Sequence, residues 1–321
     1  MDIRVVLLAA AVAATAGVSF GADDLSTERV FGKQPFNAEA PRNISRGTQI
    51  LYHGGPVMNT SNSVYVIYYG TGFASTTQAI INDFLHGLSG SAQFSVNGTY
   101  NAGPNTPSIP PIYSFIPPTG NPGQNPSGSV YLDSGSQGTL LGSTAVPKIV
   151  SNALQNGLPS DPNGVYLVVT SPDVRIAGFC TSYCAYHTDT NVNVANGTAH
   201  VRYALIPDPA QRCSGCNGGL TVYNDATTPN GDFGADTMTD DIMHELSETV
   251  TDPDLNAWYT RRGEENGDLC NYVYGTTQTG VSSTGATYHY NVMLPAISRG
   301  TRPYLIQQIW KNSGAGSCSS N

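Results

Sequence analysis

Apolar residues along this chain follow two rhythms. Ser63-Val64-Tyr65-Val66-Ile67-Tyr68-Tyr69-Gly70 is a run of β-branched and aromatic residues closed by glycine, which predicts a buried strand. Between Thr76 and Leu88 the apolar positions Ile80, Ile81, Phe84, Leu85 and Leu88 recur at helical spacing. The pair is then repeated. Leu141, Val146, Ile149, Val150 and Leu154 give a second helical pattern over Leu140–Leu154 despite Pro147, and Gly164-Val165-Tyr166-Leu167-Val168-Val169-Thr170 reads as a second strand. His200–Ile206 is a third, ended by Pro207 and Pro209. Strands alternating with helices predict an α/β fold, a single-domain sandwich whose mixed sheet is covered by helices.

No stretch separates two cores, so residues 46–321 are expected to form one globular domain, preceded by an N-terminal extension over 22–45. Residues 103–129 hold eight prolines, which no helix or central strand accepts, and read as a surface excursion with a short strand at Ile112–Ile116. The first residues are different again. A short basic start with Arg4 and an apolar run from Val5 to Val18 end in small residues at Ser19 and Gly21, the pattern of a cleaved signal peptide over 1–21. That run is shorter than the roughly 20 residues a bilayer demands, and no later segment is long and apolar enough to span one.

A secreted chain changes the reading of the cysteines. All six, Cys180, Cys184, Cys213, Cys216, Cys270 and Cys318, lie in the C-terminal half, and an even number in an oxidising compartment favours disulfides. Proximity in sequence favours Cys180 with Cys184, Cys213 with Cys216, and Cys270 with Cys318; a zinc site made of the first four is the competing arrangement. Sequons at Asn43, Asn59, Asn97 and Asn196 point to glycosylation. The net charge of -9 opposes nucleic acid and anionic membranes as partners, and charged residues make up only 12% of the chain.

That scarcity of charge makes one segment conspicuous. A helix is expected over Thr239–Val250, with Thr237 or Thr239 as N-cap, Asp240 and Asp241 in its first turn, and Pro253 as its stop. Ile242, Leu246 and Val250 form its buried stripe. His244 and Glu248 are four apart and share a face, with Glu245 one step round. This is the H-E-x-x-H geometry of zinc hydrolases with a carboxylate in place of the second imidazole, a zincin-like active helix. The chain has six glutamates, and Glu245, Glu248, Glu264 and Glu265 are four of them. A solvated acidic face is the plainer account of such clustering, and it fits poorly in a protein that otherwise avoids glutamate. The expected site therefore has His244, Glu248, Glu265 and Asp268 as metal ligands and Glu245 as general base, with Glu264 and Asp252 in reserve. Zinc is the expected cofactor; calcium is the alternative, since carboxylate-rich loops with Asn and Gly suit a hard cation. His187, His200 and His289 are isolated in sequence and read as ordinary core or surface histidines, His289 being the nearest reserve ligand. His53-Gly54-Gly55 reads as a tight turn, because no G-x-S-x-G nucleophile accompanies it. Trp258-Tyr259 reads as core.

Leu51-Tyr52-His53-Gly54-Gly55-Pro56-Val57, the strand end Tyr68-Tyr69-Gly70, Gly178-Phe179-Cys180-Thr181-Ser182-Tyr183-Cys184 and Pro229-Asn230-Gly231-Asp232 together resemble the phosphate-induced protein/EXORDIUM family. The resemblance runs from about residue 46 onward. It implies a secreted protein of the apoplast or cell wall, and it supplies no catalytic residues. The segment from His244 to Cys270 is also similar to secreted bacterial proteins with a zinc-protease-like core. Two functions follow. One is a metal-dependent, peptidase-like hydrolase acting on an extracellular protein or cell-wall substrate. The other is a non-catalytic wall-associated or signalling protein whose acidic cluster is structural or binds calcium.

Overall fold

The computed structural model describes residues 32–36, 49–120, 123–209 and 213–321. The expected signal peptide, most of the N-terminal extension and the sequon at Asn43 lie outside the described residues. No helix among the described residues is long and apolar enough to cross a membrane.

The continuous apolar runs become strands buried on both faces. The elements that matter here are β1 (Asn62–Tyr69), α1 (Thr77–Leu88), β2 (Tyr113–Ser114), β3 (Val130–Asp133), α2 (Ala145–Gln155), β4 (Gly164–Thr170), β5 (Tyr186–Val194), β6 (Gly197–Pro207) and α3 (Phe233–Thr251). The central sheet runs β2-β1-β4-β6-β5, with β3 pairing β1 further along the same edge as β2. All pairings are parallel except β5 with β6. Side chains alternate across this sheet with period two. Val64, Val66 and Tyr68 of β1, Val165, Leu167 and Val169 of β4, and Ala204 and Ile206 of β6 face one core, which α1 and α3 cover. Tyr65, Ile67, Tyr69, Tyr166, Val168, Val201, Tyr203 and Leu205 face the other, covered by α2. The result is a mixed α/β domain with helices on both faces of one sheet, as expected.

Several boundaries differ from the sequence reading. Leu140–Leu141 pairs as a short strand with Arg175–Ile176, so α2 begins only at Ala145. Pro147 is thus in the first helical turn, where its missing N–H has no partner to lose. The helix expected from Thr239 begins six residues earlier. Its N-cap is Asp232, whose carboxylate accepts from the Ala235 amide and also from the hydroxyls of Thr76 and Thr77, tying the start of α3 to that of α1. Strand β5 was not anticipated, because Tyr186-His187-Thr188-Asp189-Thr190-Asn191 lacks an apolar run. Among its described residues, the Pro-rich excursion forms one strand, the two-residue β2.

The cysteine pairing by proximity is corrected for two of three bridges. Cys180 pairs with Cys213 and Cys184 with Cys216, each at a Cα–Cα distance of 5.5 Å, while Cys270 does pair with Cys318. The CxxxC and CxxC turns lie side by side and are stapled across, so no thiol is left for a four-cysteine zinc site. Of the sequons, Asn97 is fully buried, donating to Ser247 and accepting from Asn266, which excludes a glycan there. Asn196 is exposed at the tip of the β5–β6 hairpin.

Candidate metal centre

Helix α3 is buried all round although much of it is polar. Ala235, Met238, Ile242, Met243, Leu246 and Val250 join the core, while Asp240, Asp241, His244, Glu245 and Glu248 are buried with them. Buried carboxylates without positive partners cost several kcal/mol each, so their surroundings must supply positive charge.

Part of it comes from β5. In the antiparallel register His187 lies opposite Ala204, which faces the α3 side of the sheet, and residues directly opposite share a face. His187 is therefore directed at the helix. Its Nδ1 is 3.4 Å from Glu245 Oε2 and 3.5 Å from Glu248 Oε2, and its Nε2 is 3.7 Å from Glu265 Oε1. Neither ring nitrogen makes a hydrogen bond, nor do Glu245 Oε2, Glu248 Oε2 and either oxygen of Glu265, although all are buried. His187, read from the sequence as an ordinary core or surface histidine, thus lies against three glutamates of the cluster. No spacing within Tyr186–Val194 marks it, because its place depends on the pairing of that strand with its neighbour.

A second group shares Glu248. His244 Nε2 is 3.0 Å from Glu248 Oε1, out of line for a hydrogen bond, and 3.8 Å from Asp268 Oδ1. On the other side of the ring, Nδ1 is 3.1 Å from Gln307 Oε1, and the Gln307 amide donates to Gly267 O, which fixes its oxygen toward the histidine. His244 Nδ1 must then be the donor, and Nε2 faces the cluster. The loop carrying Glu265 and Asp268 approaches closely because residue 267 is glycine: a Cβ there would lie 2.8 Å from Glu248 Oε1 and 3.0 Å from the His244 ring. The Asp268 amide donates to Glu248 Oε1 at 3.0 Å.

The residues expected as ligands therefore divide. His244, Glu248 and Asp268 form one group of donor atoms lying within 4.8 Å of one another; Glu265 faces His187 instead, and Glu245 joins His187 and Glu248 in the other group. Glu264 accepts from the Thr260 hydroxyl, and Asp252 caps the turn after α3 by accepting from the amides of Asn256 and Ala257. His289 binds Asp225 and stacks on Tyr223. His53 stacks on Tyr259 in a turn where Gly54 has φ of 98° and a Cβ on Gly55 would strike Asn256, in keeping with a tight turn. Trp258 packs on Tyr52 and Tyr100.

The electrostatics repeat the geometry. Burial opposes charge on His187, yet Glu265, Glu245 and Glu248 push its pKa well above the usual value. Against the same effect of burial, Glu248 and Glu245 raise His244 to about 9. Burial would raise Glu248, but His244 and His187 hold it at about 2. Burial pushes Glu265 well up, more than His187 can offset. The nest is built to hold positive charge.

Residues 50–321 match the family model described as the phosphate-induced protein 1 conserved region. The chain belongs to the phosphate-induced protein 1 family. It is 30% identical to protein EXORDIUM-like 3 of Arabidopsis thaliana over 294 residues, which cover 82% of this chain and 81% of that one. Protein EXORDIUM-like 5 of the same plant is 30% identical over 84% of this chain and 77% of its own. Protein PHOSPHATE-INDUCED 1 of Nicotiana tabacum is 26% identical over 68% and 69%. No solved structure matches the chain. The phosphate-induced protein 1 match contains the whole cluster, from His187 on β5 to Gln307 near the C-terminus.

Proposed function

We propose that this protein is a secreted, peptidase-like metal-dependent hydrolase whose cation is held by His187 Nδ1, Glu245 Oε2 and Glu248 Oε2. The observation that carries this is a trio of buried atoms without hydrogen bonds, in which His187 Nδ1 stands 3.4 and 3.5 Å from the two carboxylate oxygens and all three lie within 4.8 Å of one another. Ligands about 2.0–2.2 Å from a tetrahedral zinc ion stand about 3.3–3.6 Å apart, so the nitrogen is spaced from both oxygens as such an ion would space them. An imidazole with two carboxylates suits zinc better than calcium, which takes six to eight oxygens. Bound zinc supplies a Lewis acid and a water whose pKa is brought near neutrality.

The chain's own groups have separate tasks. Glu265, 3.7 Å from the other nitrogen of His187, acts on that ring through its charge, which favours the protonated imidazole, and not through a hydrogen bond. Gln307 sets the tautomer of His244, whose Nε2 holds or releases a proton between Glu248 Oε1 and Asp268. The arrangement read from the sequence, with His244, Glu248, Glu265 and Asp268 as ligands and Glu245 as base, uses the same nest differently. Glu245→Gln separates the two: it loses metal if Glu245 is a ligand and keeps metal while losing hydrolysis if Glu245 is the base.

Complete burial of the cluster favours the second reading, a non-catalytic extracellular wall-associated or signalling protein whose acidic cluster is structural or binds calcium. Metal content of the purified mature protein tests the zinc site first. One zinc per chain, lost in His187→Ala, is the expected result; a correctly folded wild type without metal overturns it. Turnover of denatured protein substrates by the zinc-loaded chain then decides between hydrolase and structural centre.

A further inference from the structure

The nest is closed on one side by the chain's own N-terminal segment. Residues 32–36 run past the start of β5, and Lys33 is buried completely. Its backbone is held as a bound peptide would be. The Lys33 amide donates to Glu245 Oε1 at 3.0 Å, Lys33 O accepts from the Cys184 amide at 2.6 Å, the Phe36 amide donates to Gly215 O, and the Asn271 side chain donates to Gln34 O. The walls that make these bonds, around Cys184 and Gly215, are the two turns stapled by Cys180–Cys213 and Cys184–Cys216. The groove is thus fixed covalently, whereas its occupant is seated in it by non-covalent contacts.

Side chains give the groove a preference. Lys33 Nζ pairs with Asp240 and lies 3.2 Å from Asp241 Oδ1, with the Tyr272 ring centroid at 5.1 Å. Asp240 is held in place by the Tyr274 hydroxyl at 2.9 Å and the Gln307 amide at 2.7 Å. Ahead of the lysine there is room only for glycine, since a Cβ on Gly32 would come within 2.4 Å of Ala185 O. Phe36 meets Tyr272 edge-on at 5.3 Å. The residues that form the lysine pocket, Asp240 and Asp241, lie one helical turn before His244 and Glu245 on α3. The register therefore presents the bond on the amino side of a lysine to the metal centre, with its nitrogen on Glu245.

We propose that this groove is the peptide-binding subsite of the centre, selective for an extended peptide with glycine followed by lysine, and that residues 32–36 are its resident occupant. This deepens the hydrolase reading, and it accounts for a buried centre in such an enzyme: the occupant must leave before another peptide can enter. An ordinary structural strand would need neither a fully buried ammonium nor a contact on the carboxylate beside the cation site.

The test reads binding and needs no turnover, so it can fail or succeed apart from the metal assignment. In the full chain, a site for a specific protease is inserted after Glu39, and the protein is folded first and cut afterwards. A labelled peptide with the sequence of residues 30–38 is then added in excess. Exchange of the cut segment for the peptide is expected, with a peptide carrying alanine in place of the lysine at least about 100-fold weaker. A cut segment that stays bound through gel filtration in excess peptide overturns the proposal, as does equal binding of the alanine peptide. Full-length Lys33→Ala with native circular dichroism is the second arm: it should take up the labelled peptide where the uncut wild type does not, and failure to do so counts against the proposal.

Discussion

The two faces of the central sheet solve the same packing problem with different residues. On the α2 face, Val146, Ile149, Val150, Ala153 and Leu154 meet tyrosines and aliphatic side chains, and the layer is held by apolar burial. On the α3 face, an apolar stripe of similar size shares its helix with two histidine-facing glutamates and two aspartates paired to a lysine. A helix needs no such groups to pack, and apolar residues of similar volume are often as stabilising or more so than buried ion pairs. The difference teaches that α2 exists to complete the fold, while α3 gives up packing quality to hold charge at chosen points.

Substitutions on the two faces should therefore fail in different ways. The largest effect is expected at Glu248, which both donor groups share: Glu248→Ala should lower bound zinc from about one per chain to less than about one tenth, read by metal analysis. The same variant should erase the gain in thermal stability that added zinc confers, a gain of about 4 kcal/mol for an ion at 1,000 times its dissociation constant. Next comes the opposite face. Ile149→Ala should cost about 2–5 kcal/mol in denaturant unfolding and leave zinc content unchanged. If it also strips the metal, the faces are coupled and the comparison breaks.

Much of this division was legible in the sequence and part was not. β4 was readable to the residue because a run buried on both faces is apolar throughout. The start of α3 was not, because Thr237 and Thr239 both suit an N-cap, whereas the carboxylate that caps the helix is that of Asp232, which also binds Thr76 and Thr77 at the start of α1. The H-E-x-x-E spacing placed His244, Glu245 and Glu248 on one helix correctly, since four-residue periodicity is a local property. His187 was missed for the opposite reason. Its place in the cluster depends on the β5–β6 register, which no spacing within β5 reveals. Two of the three disulfides failed alike: proximity along the chain was used where proximity in space decides.

The smallest effect expected is a pH dependence away from both cores. Asp83 on α1 accepts from Ser298 and from Arg302 at 2.8 and 3.0 Å. Burial alone would raise its pKa, but the Ser298 hydrogen bonds and the Arg302 guanidinium lower it below the ordinary value. A carboxyl with a depressed folded-state pKa stabilises the fold fully above its unfolded value of about 3.9, and that contribution is lost as pH falls through the folded value. Asp83→Asn should accordingly flatten the loss of stability in acid, read as the urea midpoint against pH, without changing zinc content.

The central claim is that α3 and β5 together hold one cation. Anomalous diffraction at the zinc edge from crystals of the zinc-loaded full chain tests it most directly. The account predicts one strong peak about 2.0–2.2 Å from His187 Nδ1, Glu245 Oε2 and Glu248 Oε2. A well-ordered nest with no peak, or a peak bound by His244 and Asp268 and out of reach of His187, would contradict it.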